Sequence, residues 1–166
     1  MAARVTAVVG DIVRQPDCDA IVNAANPQLQ AGGGVCGAIH RAAGPQLEDA
    51  AVSLGPIRPG QAVITPGFGL PNRWVIHAVG PRYFTDPDPP ALLAKAIGSV
   101  LALAERHGAK RVALPAISTG IYGYPIEEAG PLMVKTAKAI APTLAHVEEI
   151  RFVLFDESVL RWFAVA

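Results

Sequence analysis

A chain of 166 residues with 51% hydrophobic and 17% charged side chains is long enough to fill one core and too short for two ordinary domains. Its 14 Lys plus Arg balance 14 Asp plus Glu, which removes the basic field that drives nonspecific nucleic-acid binding and favours a nucleotide-sized ligand over a polymer. The first residues run straight into a strand-like stretch without a signal-peptide core, and no apolar run approaches a membrane span, so a cytoplasmic chain without membrane association is expected.

From the amino end, the apolar run 5–9 reads as a strand that ends on Gly10-Asp11-Ile12, where Asp11 suits a turn. The run 20–24, AIVNA, is almost continuously apolar and marks an inner strand covered on both faces. It gives way to Asn26-Pro27, where the proline biases Asn26 toward extended geometry and helps fix its side-chain direction. Asn23 reads as a structural hydrogen-bonding residue of the same loop.

Gly32, Gly33 and Gly34 then open a helix over 34–43. Adjacent glycines let the backbone approach a ligand, and the first helical turn offers unpaired amides and a positive dipole end. No acid stands in that turn, so a phosphate is expected there. Cys36 and His40 have the i, i+4 spacing of a metal pair, but no third or fourth ligand is near in sequence, and no metal is expected. Both cysteines, Cys18 and Cys36, read as reduced thiols. His40 and Arg41 read as members of the exposed or half-buried helix face. A second short helix over 46–54 follows Gly44-Pro45.

Strands are expected over 61–65 and 74–79, the latter carrying His77, which reads as a core histidine. The proline-rich stretch 83–90 reads as a mobile surface loop. A helix over 90–107 places Leu93, Ile97, Val100, Leu101 and Ala104 on one face and closes at Gly108. After a strand over 111–114 comes Ser118-Thr119-Gly120-Ile121-Tyr122, whose two hydroxyls and glycine suit phosphate oxygens. Pro125 is expected at the first position of the next helix, where Glu127 and Glu128 complement the dipole and repel an anion. A last strand over 150–155 ends on Phe155, and Asp156 is expected to cap a short helix containing 159–163.

Strands alternating with helices predict a three-layer α/β/α sandwich. Its two glycine-bearing loops, both at carboxyl ends of strands, can then face each other across a diphosphate. Gly32, Gly34 and Gly37 also satisfy G-x-G-x-x-G, but about seven residues separate Ala24 from Gly32 and no acid closes the strand near Thr65. An NAD-dependent oxidoreductase is therefore only a distant alternative. The chain has neither a P-loop nor a G-x-S-x-G elbow.

Taken in order, Gly10-Asp11-Ile12, Asn23-Ala24-Ala25-Asn26, Gly32-Gly33-Gly34-Val35 with Ala38-Ile39-His40-Arg41-Ala42, His77-Ala78-Val79-Gly80-Pro81, and Pro115 through Gly123 resemble the macrodomain family over nearly the whole chain. Members of that family bind ADP-ribose, and its MacroD-type branch removes ADP-ribosyl or acetyl groups attached to it. The resemblance implies one macrodomain over 1–166 with a mixed sheet. It implies that Asp11 accepts from the adenine amine, with Ile12 and the aromatic Phe155 beside the base. It places Gly33, Gly34 and Val35 by the distal ribose and its nearer phosphate. Ser118, Thr119, Gly120 and Ile121 would wrap the diphosphate, Tyr122 would cover the distal ribose, and Asn26 would orient the ribose hydroxyls for reaction.

Cys36 departs from the pattern, because many MacroD-type hydrolases carry an aspartate there, although some active relatives have alanine. Its thiol reads as a small neutral filler, set against a reactive-thiol reading in which the helix N-terminus lowers its pKa. The expected activity is hydrolysis at the distal ribose, releasing ADP-ribose from a mono-ADP-ribosyl ester on protein or from O-acetyl-ADP-ribose, by a monomer without cofactor. ADP-ribosylated nucleic acid is a further substrate class, and a non-catalytic ADP-ribose-binding module is the alternative.

Overall fold

The structure, a computed structural model, describes residues 2–166. Its six strands are β1 (Arg4–Val9), β2 (Ala20–Ala24), β3 (Ala62–Pro66), β4 (Trp74–Ala78), β5 (Arg111–Leu114) and β6 (Glu149–Leu154), in the order β1-β6-β5-β2-β4-β3. Only β3 runs antiparallel, against β4, so the sheet is mixed. The turn over 67–73 that joins β3 to β4 is too short for a crossover and returns the chain antiparallel. It is tied to the segment that leads into β2 by Asn72, whose Nδ2 donates to the carbonyls of Gln15 and Cys18, each at 2.8 Å.

The helices are α1 (Gly34–Ala43), α2 (Gln46–Val52), α3 (Pro89–Arg106), α4 (Ile126–Ile140) and α5 (Glu157–Leu160). Alternation along the strands divides the core. Ile21, Val75, Ala113 and Val153 pack with Ile39, Ala43 and Leu47 of α1 and α2. Val22, Ile76, Val112 and Phe152 pack with α3, α4 and the segment after α5. Three layers result, with β2 and β5 covered on both faces. Among the described residues, no helix is long and apolar enough to cross a membrane.

The element ends refine the sequence expectations. On α3 the buried face matches the expected one with Ala96 added, and Gly108, one place beyond the cap residue His107, adopts φ +70°. Pro125 is extended (φ −61°, ψ 128°), so it precedes α4 as its cap instead of opening it. Asp156 caps α5 by accepting from Ser158 N at 2.8 Å. That helix ends at Leu160, because the chain then turns to bring Phe163 against Phe152, ring centroids 5.3 Å apart. The stretch expected to be a mobile loop contains a hydrogen-bonded turn: Arg82 N donates to Asp86 Oδ2 at 2.8 Å and Asp86 N to Arg82 O at 3.0 Å.

β2 leads on to β4 on one side and β5 through α4 to β6 on the other, so the strand order reverses between the adjacent β2 and β5. These two strands pair only at Ala20↔Val112 and Ile21↔Ala113. Beyond that they part, opening a crevice toward their carboxyl ends, the place where open α/β sheets bind ligands.

Candidate functional site

The loop after β2 lines one wall of the crevice. Asn26 closes it on itself, with Oδ1 accepting from Gln30 N at 3.0 Å and Nδ2 donating to Gln30 O at 2.9 Å. The Cys36 thiol donates to the same carbonyl at 3.6 Å. From behind, Glu48 of α2 accepts from Ala31 N at 2.5 Å. Gly37 presses on the loop so closely that a Cβ there would lie 2.5 Å from Gly32 O. Residues 30–32 are thus braced, whereas Gly33 and Gly34 are exposed with open space around them, and Gly34 needs the left-handed φ of +57°. No side chain caps α1 and no acid stands in its first turn. Its leading amides therefore face outward unpaired, as an anion site requires. Val35 is half-buried against the core cluster that holds Ile12.

The loop after β5 forms the facing wall. Ser118 is buried at φ +69°, and its hydroxyl has no partner, wedged where a Cβ on Gly80 would come within 2.1 Å. Thr119 Oγ1 donates to Ala116 O at 2.7 Å. Thr119 thus spends its proton inside the turn, and the Ser118 hydroxyl is buried without a partner. What the loop offers instead is backbone: the amides of Gly120, Ile121 and Tyr122 donate to no carbonyl among the described residues. Tyr122 is half-buried, and burial pushes its phenol up. Its carbonyl accepts from Tyr83 N at 2.9 Å, which sets it against the 82–86 turn. Ile121 is fully exposed.

Asp11 and Phe155 lie farther along the same edge, beyond β1 and β6. Asp11 is exposed and does form the turn, accepting from Val13 N at 3.1 Å, with Arg14 Nε at 3.7 Å. Phe155 is 81% exposed, which rules out a core role. Ile12 is buried among core residues, so only its backbone can meet a ligand. The edge thus carries an exposed carboxylate, an exposed aromatic ring, a loop of free amides and a bare helix N-terminus in that order.

Beneath the first loop runs a buried polar row. Thr65 Oγ1 lies 2.9 Å from His77 Nε2, and His77 Nδ1 lies 3.1 Å from Asn23 Nδ2. Burial pushes His77 down to about 4, so it is a neutral core histidine as expected. Asn23 sits on β2 itself, not in the loop. His40, expected at or near the surface, is 8% exposed and its pKa is lowered by burial, because that side of α1 packs on the sheet. Burial also raises the Cys36 thiol, against a smaller lowering by its hydrogen bond with Asn23. Sequence reading missed Glu48, whose contact with Ala31 spans 17 positions and leaves no local signal. It also missed that Gly80 is needed for close approach to Ser118. No group of three or more His, Cys, Asp or Glu among the described residues is arranged to hold a metal.

The profile of the Macro domain family matches residues 22–133. The chain is 45% identical over 169 residues to the O-acetyl-ADP-ribose deacetylase of Salmonella gallinarum, covering 99% of this chain and 94% of the relative. It is 47% identical over 166 residues to a macro domain-containing protein of Streptomyces coelicolor, covering 96% of each. Among solved structures, the Oceanobacillus iheyensis macrodomain with ADP superposes with a TM-score of 0.89 at 39% identity, covering 95% of this chain and 86% of that one. The Trypanosoma brucei macrodomain in complex with ADP-ribose gives 0.89 at 32% identity, with 96% and 67% covered.

Proposed function

This chain belongs to the Macro domain family, and from that premise we propose that it binds ADP-ribose along the carboxyl edge of its sheet and hydrolyses a group attached at the distal ribose. The observation that carries the reading is the crevice between β2 and β5, walled by two sets of free amides with no acid in the first turn of α1. Adenine lies toward Asp11 and Phe155, the diphosphate between the loop 118–122 and the start of α1, and the distal ribose between Asn26 and Tyr122. Water is the nucleophile. Binding energy from the adenine and diphosphate holds the ribose in one orientation, where preorganised amides stabilise charge as it develops. With a neutral thiol at 36, the proton leaves to a phosphate oxygen or an ordered water.

The substrate is a mono-ADP-ribosyl ester on protein or O-acetyl-ADP-ribose, and the relative named for the second supports a hydrolase of this kind. Incubation with each, following free ADP-ribose over time, tests the activity. Titration calorimetry with ADP-ribose and AMP tests the site, because AMP lacks what the two loops hold and is expected to bind far more weakly. Equal affinities remove the claim that both loops grip the ligand. One observation favours a second reading, binding without turnover: Cys36 stands without ionising where many relatives carry a carboxylate. Binding with no ADP-ribose released from either substrate decides for it.

A further inference from the structure

Phe84 is 82% exposed, yet it is not loosely held. Its ring meets Tyr83 edge-on, centroids 5.1 Å apart at 87°, and Tyr83 in turn packs on Tyr124 at 4.9 Å. Tyr83 OH donates to Glu128 at 3.1 Å, and Tyr83 N donates to Tyr122 O at 2.9 Å. The Phe84 ring lies over Gly123, at φ +75°, where a Cβ would come within 3.1 Å of it. The hydrogen-bonded turn 82–86 therefore presents an apolar ring to solvent, against the loop that carries the fully exposed Ile121. An exposed aromatic ring held by its neighbours is costly in water and is the composition of an anchor for a partner.

We propose that Phe84 takes the polypeptide segment flanking an ADP-ribosylated residue, an inference that rests on the site reading above. If the distal ribose lies under Tyr122, whatever is attached to it must leave the crevice away from the diphosphate. That direction leads past the 82–86 turn, one residue from the bond to Tyr122. The charges choose between acceptors. Asp86 and Asp88 follow Phe84 in the same segment and Glu128 holds the hydroxyl of Tyr83, while Arg82 is drawn to Asp86 at 3.7 Å. This rim repels a phosphate backbone and suits a neutral or basic peptide.

The test compares Phe84→Ala and Phe84→Tyr with the unaltered protein in calorimetry against ADP-ribose, a mono-ADP-ribosylated basic peptide and a terminally ADP-ribosylated oligonucleotide. The peptide conjugate is expected to bind about tenfold tighter than ADP-ribose, an advantage lost in Phe84→Ala, kept in Phe84→Tyr, and absent for the oligonucleotide. ADP-ribose affinity and O-acetyl-ADP-ribose turnover are expected to stay unchanged in both variants. A peptide conjugate no tighter than ADP-ribose, or an advantage that survives Phe84→Ala, overturns the inference while the site reading stands. So does a Phe84-dependent advantage for the oligonucleotide alone. Failure of ADP-ribose itself to bind the unaltered protein overturns the site reading, and the inference with it.

Discussion

The thiol of Cys36 donates to the carbonyl oxygen of Gln30 at 3.6 Å, the same carbonyl that Asn26 Nδ2 holds at 2.9 Å. Cys36 is thus a brace of the loop, neutral because burial raises its pKa. Cys36→Ala is expected to keep most turnover of O-acetyl-ADP-ribose, and iodoacetamide at neutral pH to react slowly with the folded protein, since the thiolate is the nucleophile. Single-turnover rates and the time course of alkylation check this. Abolished turnover with binding intact returns the thiol to the reaction.

Asn26 spends one donor and one acceptor on Gln30, which leaves one of each to meet ribose hydroxyls. Asn26→Ala removes both the brace and the contact. Stability is expected to fall by about 1–2 kcal/mol, from two partly exposed hydrogen bonds. Turnover at saturating substrate should fall more steeply than affinity, because orientation matters most at the reacting geometry. If kcat survives and only binding weakens, Asn26 is a binding residue alone.

Glu48→Ala offers a separate reading of the same loop. Its carboxylate fixes Ala31 N from α2, outside the crevice. Freeing that amide is expected to weaken ADP-ribose binding several-fold while leaving AMP unchanged, since AMP does not reach the glycine loop. Calorimetry with both ligands checks it, and a parallel loss for AMP would mean a general loss of fold.

Much of this was legible in the chain. The bounds of β2, α1 and β5 follow from apolar runs set between turn residues, and the inner position of β2 from the lack of polar alternation in AIVNA. The antiparallel β3 was not legible from pattern alone, because a strand's direction is a property of its partners. Where the Ser118 and Thr119 side chains turn was not legible either, because local sequence displays a hydroxyl but not the carbonyl or glycine it faces. His40 was misplaced for a related reason: α1 buries Cys36, Ile39, His40 and Ala43, so one polar residue falls inside an otherwise apolar stripe.

Gly80 has a steric reason to be glycine. A Cβ would meet Ser118 Oγ at 2.1 Å and Ile117 Cγ2 at 2.5 Å, both in the loop that offers its amides to the ligand. Gly80→Ala is expected to destabilise by about 1–3 kcal/mol through overpacking and to weaken ADP-ribose binding by displacing that loop. Adding Ser118→Ala should recover part of the loss, a coupling that denaturant unfolding of the single and double variants measures. Strictly additive effects would place the strain elsewhere.

His77 is fully buried and pushed down to about 4 from an ordinary 6.5, so it is neutral in the folded chain. Between those two values the unfolded chain binds a proton that the folded chain refuses. Stability from this group is therefore complete above about 6.5 and declines as the pH falls toward 4, by on the order of 3 kcal/mol. His40, also lowered by burial, acts in the same direction. Asp17, held at about 2 by its hydrogen bonds to Arg151, adds a second loss only as the pH falls from its ordinary 3.8 toward 2. Denaturant midpoints are expected to fall from about pH 6.5 downward, driven first by histidine, and to fall further as Asp17 is protonated. Imidazole carbon shifts followed by NMR should leave His77 unprotonated above pH about 5. A folded-state His77 that titrates near 6.5, or stability that stays level from pH 7 to about 4.5, would mean that the Thr65-His77-Asn23 row does not hold a neutral ring.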